Sequence, residues 1–457
     1  RDLTDLTSGS EARGILFFTL PMLLGNVFQQ FYNMVDSIVV GNFLGKTALA
    51  AVGASFSVLF LMVALIMGVT MGTTVLVAQF FGARDSARIR ATADTAFIFL
   101  FWAALAVTAV GYLTTGAILR MLAVPPEAMP QAVTYLHILF TGTIAAFGYN
   151  AVAAILRGLG DSRTPLYLLV FATLLNVVLD LLFVVVFSWG VAGAAWATVI
   201  SQAASFAGAV LFLNRRNRFV RLSLSELRFD REIFGHSMRI GLPTGLQQTL
   251  VASGLMVLTR IVGGFGTDAL AAYTAAGRLD SFAMMPAMNI SQAMSTFTGQ
   301  NIGAGRVERV RRGLRAGLIM SLVISGLTSL GVILFARPLM GLFNGDPEVV
   351  RIGEHYLLIV GIFYMVFSSM FVVNGVLRGA GEAMAPLLNT ILALWVVRIP
   401  CALWFSSFAG TDGIWFSIPA GWVVGCAAAA IYYSGGRWKG RAVAVVRRPA
   451  AEEGGEA

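Results

Sequence analysis

The sequence predicts an all-α membrane protein with twelve transmembrane helices in two six-helix bundles, related by a pseudo-twofold axis along the membrane normal. Three observations predict it. The chain is 57% hydrophobic and only 12% charged, where a soluble domain carries about 25% charged residues. Apolar runs recur along its 457 residues at the length of about 20 residues that a helix needs to cross a bilayer. Finally, the two halves repeat each other.

The runs lie at 14–41, 48–80, 91–119, 131–156, 164–188, 191–213, 235–262, 269–299, 313–336, 351–377, 385–408 and 413–434. Glycine and proline punctuate them. Gly68-Val-Thr-Met-Gly72 and Gly421-Trp-Val-Val-Gly425 are candidate close-packing motifs, because small residues let helix backbones approach. The first run is too long for the apolar core of a cleaved signal peptide. The chain opens on Arg1 rather than Met, so a trimmed N-terminus is expected. Cys401 and Cys426 lack metal-type spacing and read as free thiols.

Basic residues orient the helices. Arg84, Arg88, Arg90, Arg157, Arg163, Arg215, Arg216, Arg218, Arg221, Arg228, Arg231, Arg306, Arg309, Arg311 and Arg312 all fall on one side of a twelve-helix topology. So do Arg437, Lys439, Arg441, Arg447 and Arg448. The other side has Lys46, Arg120, Arg337 and Arg351. The positive-inside rule therefore puts both termini in the cytoplasm. The net charge of +9 reports topology, and no nucleic-acid partner is expected. The divisions that follow are an N-terminal bundle (1–213), a cytoplasmic linker (214–234), a C-terminal bundle (235–434) and a disordered cytoplasmic tail (435–457).

TALAAVG at 47–53 matches DALAAYT at 268–274, AQFFGA at 78–83 matches GQNIGA at 299–304, and LRGLGDSRTPL at 156–166 matches LRGAGEAMAPL at 377–387. All three pairs share one offset of 221 residues, which marks a duplication. Leu20-Pro21 answers Leu242-Pro243 one residue out of step. An even number of crossings per repeat makes the repeats parallel, so the bundles can enclose a cavity and rock to give alternating access.

Polar groups inside the apolar runs locate the chemistry. Asn26, Gln29, Asn33 and Asp36 are spaced 3, 4 and 3, which places them on one helix face. A carboxylate there costs about 3 kcal/mol or more if it faces lipid, so the face turns to the interior or to water. On the fifth helix Asn176 and Asp180 lie one turn apart. Thr198 and Tyr135 fall at similar depth. Two neighbouring carboxylates raise each other's proton affinity; with amide and hydroxyl oxygens they also suit a small hard cation such as Na⁺. At the repeat offset Asp36, Asn176 and Asp180 are answered by Leu258, Val397 and Cys401, so the second bundle lacks this site. It carries Arg260, Arg278, Asp280 and Arg398 instead, with Gln247 and Gln248. An Asp280–Arg398 pair between helices is expected there; alternatively Arg278 or Asp280 lines the cavity. Asp94, His137 and His355 read as interfacial or packing residues.

The run LPMLLGNVFQQFYNMVDSIVVGNFLG, the turn LRGLGDSRTPL, the helix LLNVVLD and the entry GVAGAAWAT together resemble the multidrug and toxic compound extrusion (MATE) family over residues 2–434. The resemblance implies a multi-pass secondary antiporter of a bacterial-type inner membrane that exports organic cations and amphipathic drugs. It implies H⁺ and/or Na⁺ as coupling ion, with no other cofactor and no enzymatic activity. It implies that Asp36 is central to coupling, with Asn176, Asp180, Thr198 and Tyr135 beside it, and that α-helix 1 hinges at Pro21. Na⁺, if used, would sit at Asp36, Asn176, Asp180 and Thr198. A sodium-coupled branch of the family carries acids in helices 7 and 10; here helix 7 has Gln247 and Gln248 and no carboxylate stands near Phe367, which favours proton coupling. Cavity candidates are Gln29, Asn33, Asn150, Gln247, Arg278, Asp280 and Met284. Expected partners are small amphipathic or cationic substrates and the lipid bilayer, with the protein a monomer. The rival readings are a lipid or polysaccharide flippase, an embedded enzyme and a channel. No HExxH or GxSxG supports an enzyme. Twelve unlike crossings with an acidic site in one half fit a channel poorly.

Overall fold

The computed structural model describes residues 5–443, apart from 123, 217–218, 224 and 344. The tail beyond 443 with Arg447 and Arg448, residue Arg218, and the side chains of Lys46 and Arg216 lie outside the described residues. Among the described residues the regular structure is helical throughout.

Among the described residues twelve long helices follow one another. The run Glu11–Gly82 is broken at Gly45 (φ 83°) into α1, Glu11–Gly45, and α2, 46–82. Then come α3 (Ser86–Met121), α4 (Met129–Thr141 and Thr143–Gly158), α5 (Arg163–Val186), α6 (Gly190–Arg216), α7 (Arg231–Gly263), α8 (Thr267–Gly303) and α9 (Val307–Gly341). α10 comprises Pro347–Gly361 and Tyr364–Gly379. The run Met384–Ser434 is broken at Gly410 (φ 59°) into α11, 384–409, and α12, 411–434. α1, α3, α5, α6, α9 and the run Met384–Ser434 are long and apolar enough to cross a membrane, and the two parts of α4 and of α10 qualify together. α7 and α8 are of spanning length but carry more polar residues, and within α2 the stretch Ile66–Gly82 is an apolar helix.

The repeat is visible in the turns. Gly45 and Gly266 (φ 83° and 105°), and Gly160 and Gly381 (φ 89° and 90°), adopt left-handed conformations at matching positions, where glycine is the residue without steric cost. After the second pair, Asp161 accepts the N–H groups of Arg163 and Thr164, each at 3.0 Å, to cap α5. Its mate Glu382 accepts the N–H of Ala385 at 3.2 Å to start α11. Both α4 and α10 bend by 50° at equivalent places.

Packing divides the chain into two compact units, Leu20–Val77 with Ser86–Leu246, and Arg1–Thr19 with Ala78–Asp85 and Gln247–Ala457. These cuts differ from the sequence-drawn ones because small residues bring the helix ends close. In the first unit a Cβ on Gly241 would meet the carbonyl of Gly68, and Gly72 faces the backbone of Ser237, so the start of α7 lies against α2. In the second unit a Cβ on Gly82 would collide with the carbonyl of Gln300, and one on Gly303 with that of Gln79. There the N-terminal segment also docks: Leu6 N–H donates to Gln300 Oε1 (3.0 Å) and Arg306 Nη1 to the Thr7 carbonyl (2.6 Å). Gly421 likewise approaches the Ala393 carbonyl of α11. Residues 435–443, placed in the disordered tail from sequence, are folded: Trp438 is buried against Tyr433, and Val443 N–H donates to Gln79 Oε1 (2.9 Å).

In the first unit, Val39, Val40, Ala48, Tyr135, Val184 and Ala194 form an apolar cluster beside the acidic residues. The second unit has an aromatic core that includes Tyr356, Tyr364, Phe367, Trp415 and Trp422. Leu113, Leu327 and Ile431 stand exposed on helix surfaces, as lipid-facing side chains do.

Candidate functional site

Four helices of the first unit bring together the residues that the sequence singles out. Asp36 (α1), Tyr135 (α4), Asn176 and Asp180 (α5) and Thr198 (α6) are all buried. The i, i+4 spacing of Asn176 and Asp180 puts both on one face of α5. Directly after Asp180 the helix widens into a π-turn, Leu181–Val186, a feature that gathers at functional sites. With its amide oriented by the surrounding hydrogen bonds, Asn176 donates to Asp180 Oδ2 (2.9 Å) and accepts from the Thr198 N–H (3.2 Å). The Thr198 hydroxyl shares a hydrogen bond with the Tyr32 phenol at 3.0 Å. Asp36 and Asp180 lie within electrostatic reach of each other, and Tyr135 within reach of both.

The acceptors are not used up. Asp36 Oδ1 and Asp180 Oδ1 are buried and have no hydrogen-bond partner. Two such oxygens in one cluster are costly unless a proton or cation satisfies them. No group of three or more His, Cys, Asp or Glu is placed to hold a metal among the described residues. The cluster thus offers two carboxylates, an amide, a hydroxyl and two phenols. That set suits a proton or a hard monovalent cation better than a transition metal.

Tyr32 is the member of the cluster that the sequence reading did not single out. The available signal was its i, i+4 relation to Asp36 on the face already identified. Other expected residues stand apart from the cluster. Gln29 is half-buried and Asn33 exposed on the α1 face. Asn150 donates to the Ala146 carbonyl of its own helix (2.8 Å). α1 keeps helical dihedrals through Pro21, and Gly45 is its single non-helical residue.

In the second unit Gln247 donates to Thr390 Oγ1 (2.8 Å), tying α7 to α11. Arg278 is exposed, and Met284 packs against the aromatic core. The expected Asp280–Arg398 pair is not formed. Both carboxylate oxygens of Asp280 instead accept phenol hydroxyls, from Tyr356 and Tyr364. Phenol hydroxyls on α10 satisfy both oxygens of the carboxylate in place of the arginine. Leu258, the mate of Asp36, is a fully buried core residue, and Cys401 is a free thiol. Among the described residues the second unit therefore has no counterpart of the acidic cluster. His137 stacks on Tyr112 (4.5 Å), and His355 faces Asp412 (3.2 Å).

The MatE family model matches the chain twice, over residues 21–182 and 243–404, once in each repeat. The chain is 33% identical over 436 residues to the probable multidrug resistance protein YpnP of Bacillus subtilis strain 168, covering 95% of this chain and 97% of that one. It is 27% identical over 441 residues to the probable multidrug resistance protein NorM of Thermotoga maritima, covering 94% and 93%. Its fold superposes with a TM-score of 0.88, at 26% identity and over 96% and 97% of the two chains, on the outward-facing conformation of a multidrug resistance MATE family transporter of the MOP superfamily. With its repeated twelve-helix fold, its buried acidic cluster and these matches, the chain belongs to the MATE family of multidrug transporters.

Proposed function

We propose that the protein is a secondary antiporter of the cytoplasmic membrane that exports amphipathic organic cations in exchange for H⁺ or Na⁺, with both termini inside. The observation that carries this reading is the pair of orphaned oxygens on Asp36 and Asp180 within one buried cluster. Two anions cannot share a dry site without a neutralising partner. A proton on one carboxylate, or a cation between the two, supplies that partner. Its uptake changes the charge on α1 and α5 together, and a ligand that binds one conformation better shifts the population toward it. An inward gradient provides about 2.3 kcal/mol per charge per 100 mV. A cationic substrate is favoured when the carboxylates are bare and disfavoured when they are neutralised, which is the exclusion that exchange requires. One chain supplies all six groups, so a monomer suffices.

The test uses everted vesicles holding a pH-sensitive dye, with an imposed gradient and a fluorescent organic cation. Substrate should release protons from wild-type vesicles and not from the Asp36→Asn variant. Undiminished substrate-dependent flux in the variant would refute the role of Asp36. Repeating the assay with and without Na⁺ identifies the ion.

A further inference from the structure

α10 is bent by 50° between Pro347–Gly361 and Tyr364–Gly379. Asp280, on α8, touches both sides of that bend. Its Oδ2 accepts the hydroxyl of Tyr356 on the first half, and its Oδ1 accepts that of Tyr364, the first residue of the second half. All three are buried, at 6%, 3% and 2% exposure. The equivalent bend of α4 has no such tie: Tyr135 and Thr143 stand where Tyr356 and Tyr364 do, and Leu59 stands in the place of Asp280. The backbone alone therefore makes the bend, and the carboxylate adds a lock found in one repeat.

The lock is poor in acceptors. Around Asp280 stand Tyr273 on its own helix, Tyr356 and Tyr364 on α10, Arg398 on α11 and Trp415 on α12. Every polar side chain in that set is a donor apart from the carboxylate, the phenol oxygens being weaker acceptors. Two donors already lack a partner: Arg398 Nε and the indole N–H of Trp415. A carboxylate accepts from both tyrosines at once. A carboxylic acid turns one oxygen into a donor and leaves a phenol hydroxyl stranded, which disfavours the tied arrangement.

We propose that Asp280 is a positioning residue that locks the bend of α10, and that taking up a proton on its carboxylate releases the lock. This gives the second unit its own response to protons, independent of which ion Asp36 and Asp180 bind. It assigns Asp280 to the movement of α10 rather than to contact with cargo.

Spin labels at Arg351→Cys and Ser369→Cys, one on each half of α10, in a background with Cys401→Ser and Cys426→Ser, read the bend by pulsed dipolar spectroscopy in nanodiscs without substrate. The wild-type distance should lengthen between pH 9 and pH 5. Asp280→Asn should show the long distance at both pH values, whereas Asp36→Asn should respond as wild type does. Tyr364→Phe, which keeps the carboxylate and removes one donor, should move the midpoint to higher pH by about one unit, a tenfold change in proton affinity. In transport, Asp280→Asn should lower the maximal rate at least fivefold with KM unchanged. A wild-type distance that ignores pH, an unshifted Tyr364→Phe midpoint, or an Asp280→Asn variant with raised KM and normal rate would each overturn the proposal. Because the distances are read without substrate or gradient, failure here leaves the antiport reading standing, and failure of antiport leaves the lock measurable.

Discussion

Asp180 and Asp280 are both shut away from solvent, at 0% and 6% exposure, yet they meet opposite conditions. Asp280 has a phenol on each oxygen. Asp180 has one amide on Oδ2 and nothing on Oδ1, and its neighbour Asp36 also has a bare oxygen. The repeats share their turns, their bends and a tyrosine at equivalent positions, Tyr135 and Tyr356. What differs is how completely the carboxylates are satisfied. A saturated carboxylate holds helices in place, whereas an unsaturated pair is an open valence for an ion. The comparison separates an acid that ties two helix halves together from a pair left open to an ion, on hydrogen-bond completeness.

The largest expected effect tests that separation through stability. Asp280→Leu orphans two buried phenol donors, each at a cost of about 1–3 kcal/mol, and should lower the thermal midpoint by several degrees. Asp180→Leu strands only the Asn176 amide and also removes a carboxylate that was itself a liability, so the midpoint should fall less or stay. Tryptophan fluorescence during a thermal ramp in detergent reads both. A larger drop for Asp180→Leu would break the comparison. Transport should reverse the order. Asp180→Asn should cut substrate-dependent ion flux at least tenfold while the protein elutes as a single species. A smaller effect is expected from Tyr32→Phe, which removes the hydrogen bond to Thr198. At about 1 kcal/mol for one neutral bond, it should weaken ion affinity about fivefold and leave the thermal midpoint almost unchanged.

Much of this comparison is legible in the sequence because it rests on local spacing. Apolar periodicity gives the twelve helices, and one offset gives the repeat. The 3, 4, 3 stripe on α1 and the Asn176–Asp180 step give the acidic cluster. The rest depends on distant contacts that spacing does not encode. The tyrosines that satisfy Asp280 lie 76 and 84 positions away, so opposite charge made Arg398 look the better partner. The π-turns at Leu181–Val186 and Ile391–Arg398 have no signature in apolar runs. The unit boundaries follow from glycine contacts between helix ends, and those are visible only once the helices are packed.

The smallest effect is expected at Asp94, a third carboxylate within an apolar helix, and it checks whether burial alone marks function. Asp94 is only 6% exposed, so burial would rank it with Asp280. Its surroundings differ. Arg90 stands beside it on α3, the Arg228 backbone N–H supplies a hydrogen bond, and Glu226 of the linker pairs with Arg90. Beside it the Asp230 N–H donates to Thr95 Oγ1 at 3.1 Å. Asp94 therefore anchors the α6–α7 linker to α3, close to water and with a cation at hand. Asp94→Asn keeps an acceptor for the Arg228 N–H and loses only a partly screened charge interaction, for which about 0–1 kcal/mol is typical. Substrate-dependent ion flux in the same vesicle assay should stay within twofold of wild type. A loss as deep as that of Asp180→Asn would show that burial of an acid, rather than an orphaned oxygen, marks the coupling site.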